Sequence, residues 1–559
     1  MIGNIVKSIK KTDKNFDIKN INYNDENVYK LFQKGDTEGI FQFENNGIKD
    51  KLRLLKPTEF NDIVAMTSLY RPGPMMYIDN YIRRKQGKEK VIYPHEKLEK
   101  ILKETYGVIV YQEQIMLIAV NFANMTLNEA DNLRRAVSKK KKEDLEKYAE
   151  IFVEKTKKEG YPKQLAEKIY KMIVNFANYG FNKSHAVVYC MLAYKLAYLK
   201  YYYIKYFMTA LLNNVIGNEI KINEYKQELK IKGINLLNPD VNKSEIYFSD
   251  YKKDILFSLL SIKNLGYISS KEIVKERKNY GKYRSIDDFL FRMDKKVDYK
   301  AAVSLVKSGA MDCFKYNRRT LMQKVIDYYE DTRKTIDRVR EAVMEEFTIS
   351  VRELDDYSIN EKIKMEKEST GTYFLKHPVE IKKEKYYYLP LRYIEGNEID
   401  AYVEIISVKE ITTKKGSKMA FLVVNDGKND IDVTIFPATY QYAKVMLKMD
   451  NFFVLSLKKD IKGEKNKYIL EKITTFENYY NYCINNINEI YVLVDNENKE
   501  FIKKYINTKG KTKLISLFKN NRKKLTSIVN EKDFLENYIK KYPKKFIKIN
   551  YKKIIKYNI

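Results

Sequence analysis

Apolar residues follow two periodicities along the chain, and the change from one to the other divides it. Up to about residue 215 they recur every three to four positions, as in Leu165, Ile169, Met172, Ile173 and Phe176, the stripe of a helix with one buried face. Short polar stretches carrying Gly and Pro interrupt these stripes, so residues 1–215 read as mostly helical. From Ala186 to Leu199 nearly every position is apolar, Lys195 being the break, and such a helix belongs buried at the centre of its domain. A mixed segment, 216–395, follows: a hairpin of helices, then a charged stretch around 330–370 without turn residues, expected as exposed helix. Between 398 and 475 the period drops to two, with Ala401, Val403 and Ile405 on one face, and Ile431, Val433 and Ile435 likewise.

Turn chemistry at Asn425-Asp426-Gly427 and Lys462-Gly463 punctuates the alternating region. Five strands are expected near 400–409, 418–424, 430–436, 452–458 and 466–473, with a helix from Ala438 to Leu447 between the third and fourth. That is the pattern of a five-stranded OB-fold β-barrel, a fold that commonly binds oligonucleotides. Residues 476–559 begin with Ile490-Tyr491-Val492-Leu493-Val494, then a helix and a second apolar run, Leu514 to Phe518, and read as a small α/β domain. The fold class is multidomain α+β.

Composition sharpens this picture. A chain of 559 residues exceeds what one hydrophobic core organises, and 44% hydrophobic residues exclude a disordered chain despite 32% charged ones. The excess of 105 Lys and Arg over 74 Asp and Glu, a net charge of +31, suits a polyanionic partner, nucleic acid first. Part of the lysine excess goes with abundant Asn, Ile and Tyr and no Trp, as an AT-rich genome produces. Cys190, Cys313 and Cys483 stand far apart in no metal-ligand spacing, so no zinc site or disulfide framework is expected, and a reducing cytoplasm fits. The longest apolar run, Ala186 to Tyr194, is far short of the ~20 residues that span a bilayer, so no membrane association is expected.

Candidate chemistry begins at Thr126, where Glu129 three residues on completes a capping-box pattern. The helix it opens has Leu127, Ala130, Leu133 and Val137 as its apolar stripe. Arg135, Lys139 and Lys142 project from a face well off that stripe, with Arg134 at its edge. Such a face suits a triphosphate or a nucleic-acid backbone, because Arg forks onto phosphate oxygens and Lys adds mobile charge; a solvated charged face has the same sequence. A second cluster is Tyr179-Gly180-Phe181-Asn182-Lys183-Ser184-His185, just before the apolar helix. If Ser184 caps that helix, Asn182, Lys183 and the helix N-terminus present donors to an anion. A third is Tyr70-Arg71-Pro72-Gly73-Pro74, a rigid turn that aims Arg71, and Gly107 followed by Tyr111-Gln112-Glu113-Gln114 is read as a turn signal only.

Taken in order, "GIFQFE" at 39–44, "LYRPGP" at 69–74, "YGVIVYQEQIM" at 106–116, "ADNLRRAVSKKK" at 130–141 and "NYGFNKSHA" at 178–186 resemble the fingers domain of the bacterial DNA polymerase III alpha subunit family. The resemblance runs over essentially the whole chain, most strongly to about residue 320. It implies that 1–215 is a fingers domain in which Arg134, Arg135, Lys139, Lys142, Asn182, Lys183 and His185 meet the incoming dNTP, with Arg71 and Gly73 beside the DNA. It further implies a helix-hairpin-helix and clamp-binding region over 216–395, looking like Ser261-Ile262-Lys263-Asn264-Leu265-Gly266 followed by Lys271 to Lys278. Lys263, Asn264, Gly266 and Lys271 are its DNA-binding candidates. Asn264 replaces the first glycine of that hairpin, and Asn tolerates the left-handed conformation better than other non-glycine residues. Where a Gln-led clamp-binding motif is expected, Val343-Met344-Glu345-Glu346-Phe347 keeps only the aromatic, Phe347. By the same resemblance the partners are primer–template and single-stranded DNA, dNTP, the sliding clamp and the clamp loader.

Nucleotidyl transfer needs carboxylates around two metal ions. The resemblance implies that these Mg²⁺ ligands, an Asp-x-Asp strand and a third Asp, sit in a palm domain upstream of Met1. This chain is therefore expected to hold no catalytic or metal-binding residues, to lack the family's histidine-rich phosphoesterase-like domain, and to be inactive alone, its palm being supplied by a separate chain, lost, or part of a longer chain of which this is a piece. Asp430-Ile431-Asp432 has the spacing, but it lies on the third barrel strand, where a solvated strand face is the reading. The rival reading is a non-catalytic DNA-binding or scaffold protein built on the hairpin and the OB-fold.

Overall fold

The computed structural model describes residues 1–139, 142–177, 180–332, 349–387, 389–413, 415–447, 451–460, 467–505, 512–518, 524–529, 534–535, 537–538, 541–542 and 546–551. They form two compact units, one of Met1–Val215 with Phe248–Ile255, the other of Ile216–Tyr247 with Leu256–Ile559.

The first unit is helical. Its site-bearing helices are α1 (Phe60–Leu69), α2 (Gln112–Ala123), α3 (Leu127–Lys139), α4 (Lys142–Lys158), α5 (Lys163–Ala177) and α6 (Lys183–Tyr202). The apolar run at 186–199 lies within α6, which packs against α1 and the helix Glu26–Lys34. Its buried face sets the small residues Ala186, Cys190, Ala193 and Ala197 at helical spacing, beside the larger buried Tyr194, Leu196 and Leu199. The bulkier Val188, Met191 and Leu192 are exposed, so the expectation of burial on all sides holds for one face only. At its C-terminal end the fully buried Lys200 donates to the Glu38 carbonyl at 2.9 Å and pairs with Asp36 at 2.9 Å, fastening the loop that carries the first motif.

The second unit begins with α7 (Glu219–Ile231), followed by α8 (Tyr267–Tyr280), α9 (Tyr299–Lys307), α10 (Arg318–Asp327), α11 (Ile359–Thr370) and α12 (Pro378–Lys385). Of the charged stretch, 333–348 lie outside the described residues, and 349–370 are not simply exposed helix: α11 buries Ile363, Glu366, Ser369 and Thr370, and residues 349–358 are non-helical until Ser358 caps α11. Glu366 is buried because every part of it is bonded. One oxygen accepts from Arg318 Nη2 at 2.9 Å and the other from the backbone N–H groups of Phe374 and Leu375 at 2.8 and 2.9 Å. Arg318 also forks onto Asp312, so α10, α11 and the 374–375 strap close on one charge cluster.

Five strands then close into a barrel: β1 (Glu398–Thr412), β2 (Lys418–Asn425), β3 (Asp430–Ile435), β4 (Phe452–Lys459) and β5 (Lys467–Thr474). Their order is β1-β2-β3-β5-β4, closed by β1 against β4, with β3 and β5 parallel and every other pair antiparallel. This is OB topology, with α13 (Pro437–Met446) between β3 and β4 setting Tyr440 and Ala443 into the core. Alternation works as read: Ala401, Val403, Ile405, Ile431, Val433 and Ile435 all face inward. The Asn425-Asp426-Gly427 turn joins β2 to β3, and Asp426 Oδ1 accepts from the Lys428 and Asn429 N–H groups at 2.9 Å each. Lys462-Gly463 lies outside the described residues. Beyond the barrel, β6 (Ile487–Val494), β7 (Thr512–Phe518), β8 (Lys524–Val529) and β9 (Phe546–Tyr551) form a sheet of order β8-β7-β6-β9. β6 and β7 are parallel with the helix Lys499–Tyr505 between them in sequence, which is an α/β unit.

Arg318 is 4% exposed and Glu366 fully buried, so removing one partner strands a buried charge. Arg318→Met is expected to lower unfolding free energy by about 3–5 kcal/mol in a denaturant titration, and Glu366→Gln, which keeps an acceptor for the strap, by less.

Candidate nucleotide and nucleic-acid sites

The first unit gathers its candidate residues at a joint that no single segment forms alone. Val110–Gln112 pairs as a short parallel bridge with Phe181: the Gln112 N–H donates to the Phe181 carbonyl at 2.9 Å and the Phe181 N–H to the Val110 carbonyl at 3.1 Å. The bridge is held in shape by the buried Gln114. Its Oε1 accepts from the Val110 and Tyr111 N–H groups at 2.8 and 3.0 Å, and its amide donates to Thr105 Oγ1 at 2.9 Å. Gly180 is glycine because Gln112 crosses it, and a Cβ there would stand 3.2 Å from Gln112 Cγ. The run Tyr111-Gln112-Glu113-Gln114, read from sequence as a turn signal only, is thus the organising element. Its signal was the cluster of amide and carboxylate side chains at a helix start.

Glu113 takes the N-terminus of α6. The Lys183 N–H lies 3.0 Å from each of its carboxylate oxygens, so a side-chain anion of the chain itself already occupies a donor that the sequence reading offered to a phosphate. The cap is Asn182, not Ser184: Asn182 Oδ1 accepts from the His185 N–H at 2.8 Å, and the helix starts at Lys183. The Lys183 ammonium is also engaged, 2.6 Å from Glu104 Oε2 and 5.2 Å from the centre of the Tyr111 ring. His185 is exposed, edge-on to Tyr189 at 4.3 Å and tilted against Phe181 at 5.7 Å. Tyr189 stacks on Phe41 at 5.5 Å, and the Arg71 guanidinium lies 4.3 Å over Phe181. A row of rings, Phe41, Tyr189, His185 and Phe181, therefore ends in an arginine. Gly73, two residues after Arg71, has φ +102°, a conformation that L residues avoid, so the turn that aims Arg71 depends on it.

On α3 the capping box forms as read: Thr126 N–H to Glu129 Oε2 is 2.7 Å and Glu129 N–H to Thr126 Oγ1 is 3.2 Å. Ala130, Leu133 and Val137 are buried, but Leu127, assigned to the same stripe, is 72% exposed because it sits in the first turn ahead of the packed face. The two arginines share one carboxylate. Asp131 Oδ1 accepts from Arg134 Nε at 2.9 Å and Nη2 at 2.7 Å, while Oδ2 lies 2.8 Å from Arg135 Nε. Arg134 Nη1 reaches Gln112 Oε1 at 3.1 Å, which ties α3 to the joint. Hydrogen bonding to Arg134 holds the Asp131 carboxyl below the usual carboxylate range. The side chains of Lys139 and Lys142 lie outside the described residues.

In the second unit, Asn264 has φ +62°, the left-handed conformation expected of the hairpin, and its Nδ2 donates to Ser304 Oγ at 3.0 Å. Gly266 has φ −72° and caps α8, so this glycine is not required by backbone angle. The Lys263 ammonium pairs with Glu219 at 2.8 Å rather than standing free, and its N–H donates to the Ser369 carbonyl. Lys271 is exposed on α8. Beside Asn264 a cavity of about 210 Å³ is lined by Lys263, Tyr299, Lys300 and Lys307 among others. Phe347 lies outside the described residues. Asp430 and Asp432 both face outward on β3 and Asp430 accepts from Asn425 Nδ2 at 2.6 Å; among the described residues no group of three or more His, Cys, Asp or Glu is placed to hold a metal ion. No described helix is long and apolar enough to cross a membrane.

Replacing Asn264 tests the hairpin. Asn264→Gly removes the strain and the Ser304 hydrogen bond together and is expected to stay within about 1 kcal/mol of the parent in a denaturant titration. Asn264→Val keeps the strain and loses the bond, and is expected to cost about 2 kcal/mol.

Comparison with known proteins gives the chain's relatives. Residues 1–160 match the bacterial DNA polymerase III alpha subunit finger domain, and residues 233–321 match the helix-hairpin-helix motif. The chain is 39% identical over 490 residues to the DNA polymerase III subunit alpha of Bacillus subtilis, a match covering 85% of this chain and 44% of the relative. It is 39% identical over 472 residues to that of Staphylococcus aureus, covering 83% and 44%, and 38% identical over 492 residues to that of Staphylococcus epidermidis, covering 86% and 45%. The chain thus spans less than half the length of these relatives. The turn at 110–114 and the arginine pair of α3 fall inside the finger-domain match, and over most of its length the chain is related to a part of the bacterial DNA polymerase III alpha subunit.

Proposed function

We propose that this chain is the nucleotide- and DNA-holding part of a replicative DNA polymerase, gripping the incoming dNTP and the DNA during templated synthesis. The observation that carries the reading is the joint itself. Arg134 through Gln112, and Lys183 through Glu113, are fastened to the same turn, so the cationic face of α3 and the ring-lined start of α6 are held as one surface. Arg135, Asn182 and His185 are each exposed. A polyphosphate meets the guanidinium by forked hydrogen bonds, and the ring row with Arg71 offers flat faces to sugar and base.

In the second unit, the hairpin at Asn264 and the lysines around it suit the DNA backbone. The barrel suits a single strand: Phe421 is exposed on β2 directly opposite Lys409 of β1, a ring for stacking beside a charge for phosphate. Use of a divalent ion goes with the family, and Mg²⁺ is the ion we propose. Asp430 and Asp432 do not fit it, since Asp430 is bonded to Asn425 and no third ligand stands with them among the described residues. The metal-holding carboxylates in this reading belong to a palm outside the residues described, and no step is assigned to Asp430 or Asp432. A sliding clamp and a clamp loader are the further partners proposed, and the cytoplasm the location.

The test is primer extension with Mg²⁺. The purified chain alone is expected to extend no primer, and extension is expected when a palm-bearing chain of the family is added. In that complemented assay Arg135→Glu is expected to lower incorporation about a hundred-fold. Robust extension by the chain alone contradicts the assignment of the carboxylates, and an unchanged rate for Arg135→Glu contradicts the nucleotide site and favours the scaffold reading. Affinity for duplex DNA is expected to fall with salt at a slope of roughly 0.9 counterions per phosphate contacted; a flat response removes the DNA-holding role.

A further inference from the structure

The two arginines of α3 do not have equivalent surroundings. Arg134 is half-buried, and three of its nitrogens are bonded: Nε and Nη2 to Asp131 Oδ1, Nη1 to Gln112 Oε1. Arg135 is 63% exposed and engages Asp131 Oδ2 through Nε, while its two Nη groups meet no protein partner among the described residues. One carboxylate therefore does two different things. Oδ1 locks one guanidinium against the joint, and Oδ2 takes the inner nitrogen of the other and leaves its outer fork open. An Arg held at Nε loses much of its side-chain freedom before any ligand arrives, and binding is stronger when that ordering is already done.

We propose that Asp131 is a positioning residue for the polyphosphate grip: it fixes Arg134 as a structural tie to Gln112 and presents the Nη pair of Arg135 to the phosphates. The proposal rests on the nucleotide-holding reading above and goes further by separating the residue that contacts phosphate from those that hold it in place.

Asp131 is a negative charge beside an anion site. If it acts only as a competing counter-ion, neutralising it strengthens binding of any polyanion. If it positions Arg135, neutralising it weakens binding although the site becomes more positive.

The experiment is calorimetric titration of the whole chain with dATP, and separately with inorganic tripolyphosphate, together with a melting curve for each variant. Arg135→Gln is expected to weaken both ligands about ten-fold with an unchanged melting temperature, the loss of roughly one charge-assisted hydrogen bond. Asp131→Asn is expected to weaken both ligands several-fold, and Asp131→Glu, which keeps a carboxylate within reach of both arginines, to restore most of the affinity. Arg134→Gln is expected to lower the melting temperature. Tighter or unchanged binding by Asp131→Asn, with Arg135→Gln still impaired, overturns the positioning role and leaves the nucleotide site standing. An Arg135→Gln variant that binds as the parent does, or a parent chain that binds neither ligand, overturns the nucleotide-holding reading itself. Should Asp131→Asn melt early, Asp131→Ser read at a temperature where it is fully folded decides the sign.

Discussion

Two backbone hydrogen bonds between Val110–Gln112 and Phe181 are the constraint on which the first unit's site depends. They join segments that belong to different helices, and neither segment has a regular partner otherwise. Once the bridge is made, the side chains that follow Tyr111 fall into line: Gln112 toward Arg134, Glu113 onto the first N–H of α6, Gln114 inward to hold the bridge. The buried Gln114 makes the arrangement stiff, because its amide satisfies buried backbone groups that no water reaches, and breaking such a set leaves several of them unpaired.

The charge arrangement follows the same logic. A surface built to receive a polyanion carries cations that repel one another, and in the absence of ligand each needs company. Glu104 and Asp131 supply it, the first to Lys183 and the second to Arg134 and Arg135. The price is that Lys183 and Arg134 have become fasteners, so fewer cations stand open than the sequence suggests. In the second unit Lys263 is taken up by Glu219 in the same way. Net charge is thus a poor guide to which residue touches a ligand.

Much of the architecture was legible in the sequence. The barrel was, since inward positions of a closed sheet alternate strictly and its turns need Asn, Asp and Gly; the five strands fall where the period of two places them, with β1 running on to Thr412. The Thr126–Glu129 box was legible as local chemistry, and the left-handed Asn264 through the resemblance to a hairpin in which it stands at a glycine position. The burial of α6 was half legible. Hydropathy showed an apolar helix, but which apolar side packs is set by the helices around it: Ala186, Ala193, Tyr194 and Leu199 are buried while Val188, Met191 and Leu192 are exposed, a difference that a scale of polarity does not carry. The joint was not legible, because positions 111 and 181 meet only after several helices have packed. Asp131 was within reach of sequence reasoning: a carboxylate three and four residues ahead of two arginines pairs with both on one helix turn.

The central claim is that the turn at 110–114 and the start of α6 act as a single nucleotide-holding surface. Hydrogen–deuterium exchange of the whole chain, with and without saturating dATP, tests it most directly. Added nucleotide is predicted to slow exchange in peptides covering 108–114, 131–136 and 180–186 together, since they are fastened to one another. Protection of only one of these segments, or protection confined to the second unit, contradicts the account.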